Sequence, residues 1–286
     1  MLSLIQLLNN EVDKLRFQKL LFLYCKKKSN SEYDFIPYKF GCYSYSANAD
    51  LTALAKKNII SETDNSYRIV DKVDYLELLK PKDKNLLKEV VNIYGKMSAN
   101  SLIVHTYINY PFYAIKSTIA QKVLNEKLYK RVIDVIPNND TETLFTIGYE
   151  GISLEKYLSR LVKNNIKVLV DVRRNPLSMK YGFSKTLLSR YCESLDIIYV
   201  HIPDVGIDSN KRQELNTQKD YDELFEDYNL NNLTRNINSR KEILQILTKN
   251  KRIALTCFEA NIHQCHRLHL AESLRELHPD IRIEHI

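Results

Sequence analysis

Across its 286 residues the chain has no tryptophan, no Cys-x-x-Cys pair and no run of 18 or more apolar residues. The last absence excludes a membrane-spanning helix at the level of the sequence. The N-terminus, MLSLIQLLNNEVDKLRF, also lacks the basic leader and long apolar core of a secretory signal, so the expected setting is cytoplasmic, with no membrane partner. The five cysteines (Cys25, Cys42, Cys192, Cys257 and Cys265) are an odd number at irregular spacing, which predicts thiols rather than a disulfide framework. Structural zinc sites show regularly spaced cysteine pairs, so no metal is assigned from the sequence, and no cofactor is assigned either. No internal repeat or low-complexity tract occurs.

What is present describes a globular protein with a substantial core, 44% hydrophobic and 27% charged. The length suits two domains. Net charge is +7, and residues 1–140 hold 21 Lys+Arg against 15 Asp+Glu, while the remainder holds 21 against 20. The excess of cations therefore sits in the first half, which suits a polyanionic partner such as nucleic acid.

In DKLRFQKLLFLYCKKK (13–28), Leu15, Phe17, Leu20, Leu21, Leu23 and Tyr24 form a broad helical stripe, closed by Lys26–Lys28 at the negative end of the helix dipole. After Gly41, Ser44 or Ser46 can cap a second helix carrying Leu51, Leu54 and Ala55. IISETDNSYRIV (59–70) predicts two short strands around Asp64–Asn65, and helices followed by a hairpin give a winged-helix outline. Further helices are predicted over 83–97, 98–109 and 118–131, interrupted at Tyr110–Ser117. PNNDTET (137–143) joins a proline to turn formers and marks a linker between a mainly helical, winged-helix-like domain (1–136) and an α/β domain (144–286). Tyr38, Phe40, Tyr43 and Tyr45 beside Lys39 read either as a base-stacking surface or as a tyrosine-rich packing surface.

Beyond the linker, short apolar runs at 144–149, 167–173, 197–203, 252–257 and 281–286 alternate with helical patterns at 153–163, 184–195, up to about 249, and 264–277. A polar, loop-rich stretch runs from Asp204 to about Tyr221. Alternation of this kind predicts βαβ crossovers and a Rossmann-like, mostly parallel sheet. Ligands gather at the carboxyl ends of such strands. Those ends carry Gly148 and Tyr149, then Asp171, Arg173 and Arg174, then His201 and Asp204, and lastly Cys257 and Glu259. TIGYEGIS places two glycines before a helix that Ser153 can cap, which is either an anion-binding helix N-terminus or a tight turn. In VDVRRNP, Asp171 pairs with an arginine to pin the loop, and Arg173 or Arg174 forks onto a carboxylate or phosphate; the two readings are compatible. TCFEANIHQCHR sets Cys257 at a strand end facing a helix start, with Arg267 near; such a thiol is pushed towards thiolate, unless it is a small residue packed under the sheet edge. Cys257, His263, Cys265, His266 and His269 fall within 13 residues, and His266 and His269 are one helical turn apart.

From Thr146 to Ile286 the sequence resembles the domain of unknown function 488 family, through TIGYEG, VLVDVRRNP, GFSKTLL, IIYVHIPDVG, IALTCFEANIHQCHR and the closing IEHI. The resemblance implies a Rossmann-like domain found mainly in prokaryotes, with Asp171, Arg173, Cys257, Glu259, Cys265, His266 and Arg267 at the motif positions; it implies no particular reaction. Residues 12–117 resemble the Panacea (SocA-like) antitoxin and phage-associated domain, through KLRFQKLLFLYCKK, FGCYSYSANADLTALAKKNII and HTYINYPFYAIKS. Gly41–Cys42 stands where members of that family show Gly-Pro. This second resemblance implies interaction with protein or nucleic acid in phage defence or toxin–antitoxin systems, not catalysis.

The expectation is a prokaryotic protein whose basic N-terminal domain recognises nucleic acid or a protein partner. Its α/β domain then acts, as a hydrolase or glycosidase, on a nucleotide, nucleic acid or another anionic ligand. Arg173, Arg174 and Arg267, with Gly148, Tyr149 and Cys265, hold the ligand; Asp171 or Glu259 is the general base, aided by His266, and Cys257 is nucleophile or wall. The alternatives are a non-enzymatic nucleotide or modified-base sensor and an antitoxin-like interaction module.

Overall fold

Leu2–Leu7 (α1), Glu11–Asp13 (β1) and Lys14–Lys27 (α2) open the chain in the computed structural model, which describes residues 1–212, 215 and 217–286. Asp13 starts α2 by accepting the backbone N–H groups of Leu15 and Arg16, both at 2.9 Å. A hairpin absent from the sequence reading follows, Ile36–Tyr38 (β2) against Gly41–Tyr43 (β3). Gly41 turns it at φ +91°, and a β-carbon there would lie 2.5 Å from the Tyr107 ring, so both backbone and space require glycine. Ser44, not Ser46, caps Tyr45–Lys56 (α3), accepting from the amide of Ala47 at 3.2 Å.

Ile60–Glu62 (β4) and Ser66–Ile69 (β5) form the predicted hairpin, and β1 completes an antiparallel sheet in the order β1-β5-β4. The sequence α1-β1-α2-α3-β4-β5 is that of a winged helix with the β2–β3 hairpin inserted. Pro81–Tyr94 (α4), Ala99–Asn109 (α5), Ala120–Val123 (α6) and Glu126–Ile133 (α7) make the first unit mainly helical. That unit spans Met1–Ile136, and the second spans Pro137–Ile286.

The second unit alternates strands with helices, two helices standing between β8 and β9: Thr143–Gly148 (β6), Leu154–Lys163 (α8), Val168–Asp171 (β7), Lys185–Glu193 (α9), Ile198–His201 (β8), Gln218–Asp227 (α10), Ile237–Asn250 (α11), Arg252–Cys257 (β9), His266–Leu277 (α12) and Arg282–His285 (β10). The five strands are all parallel, in the order β10-β6-β9-β7-β8. Every residue of β7 and β9 is buried, as two covered faces demand. On one face Val168, Val170, Ile253 and Leu255 pack with Ile243 and Leu247 of α11 and Leu270 and Leu274 of α12. On the other, Tyr157 of α8 donates to Thr256 at 2.7 Å and meets Phe183 edge-on. Within the loop-rich 204–221 stretch, residues 213, 214 and 216 lie outside the described residues.

The connection from β6 to β7 passes β9, and that from β9 to β10 returns past β6. The connection after β9 leads towards β10 and that after β7 towards β8, so the connections diverge between β9 and β7; on the other side of β9, Gly148 lies opposite Cys257. Among the described residues no helix is long and apolar enough to cross a membrane.

Leu255 is fully buried in the middle of the central strand. Leu255→Ala is expected to lower the unfolding free energy by about 2–5 kcal/mol in urea titrations; a loss under about 1 kcal/mol would show a sheet packed otherwise.

Candidate functional site

Asp171 ends β7 with no solvent exposure, and Arg173 turns back onto it. Arg173 donates from Nε to Asp171 Oδ1 at 2.8 Å, from Nη2 to Oδ2, and from its backbone amide to Oδ1 at 3.1 Å. Its Nη1 donates to the Tyr149 hydroxyl at 2.8 Å and the Phe183 carbonyl at 2.9 Å, while Tyr199 donates its hydroxyl to Asp171 Oδ2 at 2.6 Å. Burial works against the guanidinium charge, but Asp171 more than offsets it and holds the Arg173 pKa well above its usual value. Burial and the adjacent Asp171 likewise raise the Tyr199 pKa. Of the two compatible readings of this motif, the loop pin is built: both oxygens of Asp171 accept hydrogen bonds inside the fold, while Arg173 also lines the cleft described below.

Of the two readings of the TIGYEGIS turn, the tight turn is the one seen. The amides of Tyr149 and Glu150 both donate to the carbonyl of Phe258, at 3.1 and 2.9 Å. A β-carbon on Gly148 would sit 1.9 Å from the Glu259 carbonyl oxygen. Gly148 is therefore where two main chains touch. Tyr149 keeps a place in the site as a ring, stacked on Phe183 with centroids 4.3 Å apart.

The open volume lies at the carboxyl ends of β7 and β9, where the connections diverge. A cleft of about 380 Å³, within the range of small-molecule sites, is lined by Tyr149, Arg174, Asn175, Cys257, Phe258, Glu259 and His266 among others. Arg174 stands exposed at its edge, 3.4 Å from both Asp204 and Asp208, and Phe258 offers a half-exposed aromatic face. His201 is held away, with Nε2 at 2.9 Å from the Arg173 carbonyl and Nδ1 at 3.2 Å from Lys185 Nζ.

Behind the cleft, His266 at the start of α12 is buried, and its Nε2 lies 3.1 Å from the Val172 carbonyl. A carbonyl can only accept, so Nε2 carries the proton and Nδ1 presents its lone pair. That lone pair faces two buried sulfurs, Cys257 Sγ at 3.7 Å and Cys265 Sγ at 4.0 Å. Burial, then the neighbouring Cys257, pushes the Cys265 thiol up to about 12. Arg267, only 1% exposed, donates from Nε to Cys265 Sγ at 3.1 Å and from Nη2 to the Glu259 carbonyl at 2.6 Å, and its Nη1 meets no hydrogen-bond partner among the described residues. It braces the cleft wall from within. His269 stands apart, stacked on Phe225 at 4.4 Å, where burial lowers its pKa. All five cysteines are buried and none is in a disulfide.

Sequence reading missed Tyr199, Phe183 and Phe258. The first two lie in the quoted motifs GFSKTLL and IIYVHIPDVG but reach the site from other segments, whereas Phe258 stands between two assigned residues and was open to notice. In the first unit, Tyr38, Tyr43 and Tyr45 pack on one another with centroids 5.1–5.8 Å apart, which is the packing alternative. Tyr38, Phe40 and Tyr43 also line a cavity of about 240 Å³ beside buried Lys19, whose pKa burial lowers.

A family model described as Domain of unknown function DUF488 matches residues 153–274. The matched segment holds Asp171, Arg173, Arg174 and the whole Cys257–Arg267 stretch, but neither TIGYEG nor the closing IEHI. It does not reach residues 12–117, where the SocA-like resemblance rests on its motifs alone. No curated protein and no solved structure matches the chain.

Removing one partner of the buried ion pair strands the other charge. Arg173→Met is expected to cost about 3–5 kcal/mol by chemical denaturation, and Asp171→Asn added to it to restore a large part. Equal stability of wild type and Arg173→Met would refute the pin.

Proposed function

We propose that the C-terminal domain binds a nucleotide or another phosphate-bearing ligand in the β7/β9 cleft and hydrolyses it. The observation that carries this reading is the shared lining of one cleft by a carboxylate, Glu259, an exposed guanidinium, Arg174, and an exposed aromatic face, Phe258. An aromatic ring stacks on a base, a guanidinium forks onto phosphate oxygens, and a carboxylate takes a proton from water. In the step proposed, Glu259 removes a proton from water as the oxygen bonds to the ligand's glycosidic carbon or its phosphorus. The bond to the leaving group breaks, and the leaving group takes up a proton from solvent while protonated Glu259 returns its own to solvent. Asp171 has no part in this chemistry, and Arg173 serves by holding Asp171 and Tyr149.

The N-terminal domain is the recognition module in this reading. It has the strand and helix order of a winged helix, and residues 1–140 carry a net excess of cations. These features suit nucleic acid, and the SocA-like resemblance adds a protein partner in phage defence or toxin–antitoxin systems as the other candidate. A non-enzymatic sensor differs from the hydrolase only in lacking turnover.

The test is turnover by the full chain on nucleosides, nucleotides and oligonucleotides, with products followed by mass spectrometry. Glu259→Gln is expected to lower turnover at least about 100-fold while ligand still binds, and Arg174→Ala to weaken binding about 10-fold. Undiminished turnover in Glu259→Gln would exclude that residue as base, and binding without product would select the sensor.

Binding of duplex DNA by the full chain is expected to fall at least about 10-fold between roughly 50 and 200 mM salt. Salt-independent binding, or none at low salt, would remove nucleic acid from the N-terminal domain's role.

A further inference from the structure

We propose that Cys257, Cys265 and His266 form a three-ligand site for a divalent zinc-type cation whose fourth position faces the cleft. This rests on the reading of that cleft as a ligand site and supplies its missing element. The ligand atoms of the three residues all lie within 4.8 Å of one another, and all three side chains are buried. With zinc–sulfur bonds of about 2.3 Å and zinc–nitrogen bonds of about 2.0–2.1 Å, tetrahedral geometry sets the sulfur–nitrogen separation near 3.6 Å. The observed sulfur–nitrogen separations are 3.7 and 4.0 Å, within a few tenths of an ångström of that value.

Two further features belong to ligating residues. The Val172 carbonyl accepts the Nε2 proton of His266 at 3.1 Å, which fixes the tautomer that turns Nδ1 towards the sulfurs. Arg267 Nε donates to Cys265 Sγ at 3.1 Å, the outer hydrogen bond that holds a metal-bound sulfur in place. Cys257 and His266 line the cleft whereas Cys265 lies behind it, so a cation among them presents its open side to the cleft and to Glu259. Two sulfurs and one imidazole select a soft or borderline ion such as zinc over magnesium or calcium. An open fourth position is the arrangement of catalytic rather than structural zinc, where the cation binds and polarises water. In this arrangement Cys257 is a ligand, not a nucleophile.

The test uses the full chain, purified under reducing conditions, stripped with a chelator and titrated with Co²⁺. The expected result is one equivalent per chain, with the near-ultraviolet sulfur-to-cobalt charge-transfer absorption and strong visible bands of a tetrahedral site, displaced by Zn²⁺. Cys265→Ser and His266→Asn are expected to weaken Co²⁺ binding at least about 100-fold, and Cys192→Ser, a buried cysteine of α9, to leave it unchanged. Folding of each variant is followed by circular dichroism, and the spectrum of the unsubstituted chain decides the matter if a variant does not fold. No stoichiometric Co²⁺ or Zn²⁺ binding, a spectrum without sulfur ligation, or a Cys257–Cys265 disulfide in the reduced preparation would overturn the site. Nucleotide binding by the stripped chain separates the two readings. If it persists where metal fails to bind, only the cation site falls; if metal binds and no anionic ligand does, the cleft's assignment falls.

Discussion

The buried Asp171–Arg173 pair is the constraint on which the rest of the site depends. Two opposite charges have been taken out of water, which is costly unless every donor and acceptor is met. Here the partners come from three other places: Tyr149 beyond β6, Phe183 before α9, and Tyr199 on β8. The pair therefore ties together the carboxyl ends of strands that share no local sequence. It also fixes the residue between its members. Val172 donates to the Thr256 carbonyl at 3.2 Å and turns its own carbonyl to His266, so the orientation of the imidazole follows from the ion pair.

A second constraint keeps the ligand site on one side of β9. In open parallel sheets the crevice at the reversal of winding is the usual binding place. Here the connections diverge between β9 and β7, and the cleft lies there, with Phe258 and Glu259 in its wall. On the other side of β9, the β6 end is bridged by the Phe258 carbonyl and can close because Gly148 has no side chain. The loop that closes this side thus forms the wall of the cleft, and Arg267, bonded to the Glu259 carbonyl, supports it from inside.

The elements of the α/β domain were legible because period and burial agree: apolar runs such as RIALTC are strands covered on both faces, and Ser153 caps its helix as its position suggests. Strand ends were legible for the same reason, and they held most of the residues that meet at the site. What could not be read was which of two uses a residue has. Asp171 and Arg173 look alike in sequence whether they bind a ligand or each other; only the positions of Tyr149, Phe183 and Tyr199 decide it. Cys257, Cys265 and His266 lack the spacing of a zinc knuckle because their juxtaposition is made by a strand, a loop and a helix start. The hairpin β2–β3 was missed because each strand is three residues long, too short for a period to register.

Arg267 joins these threads. A guanidinium does not give up its charge, and burying one costs several kcal/mol unless negative charge is near. Among the described residues Arg267 has no carboxylate partner; its Nε meets the sulfur of Cys265 and its Nη2 a carbonyl. An interior built to surround one sulfur with a second sulfur, an imidazole lone pair and a permanent cation is poorly matched to a passive apolar wall. The same four groups suit a site where negative charge resides on sulfur, which is the condition of a ligating cysteine.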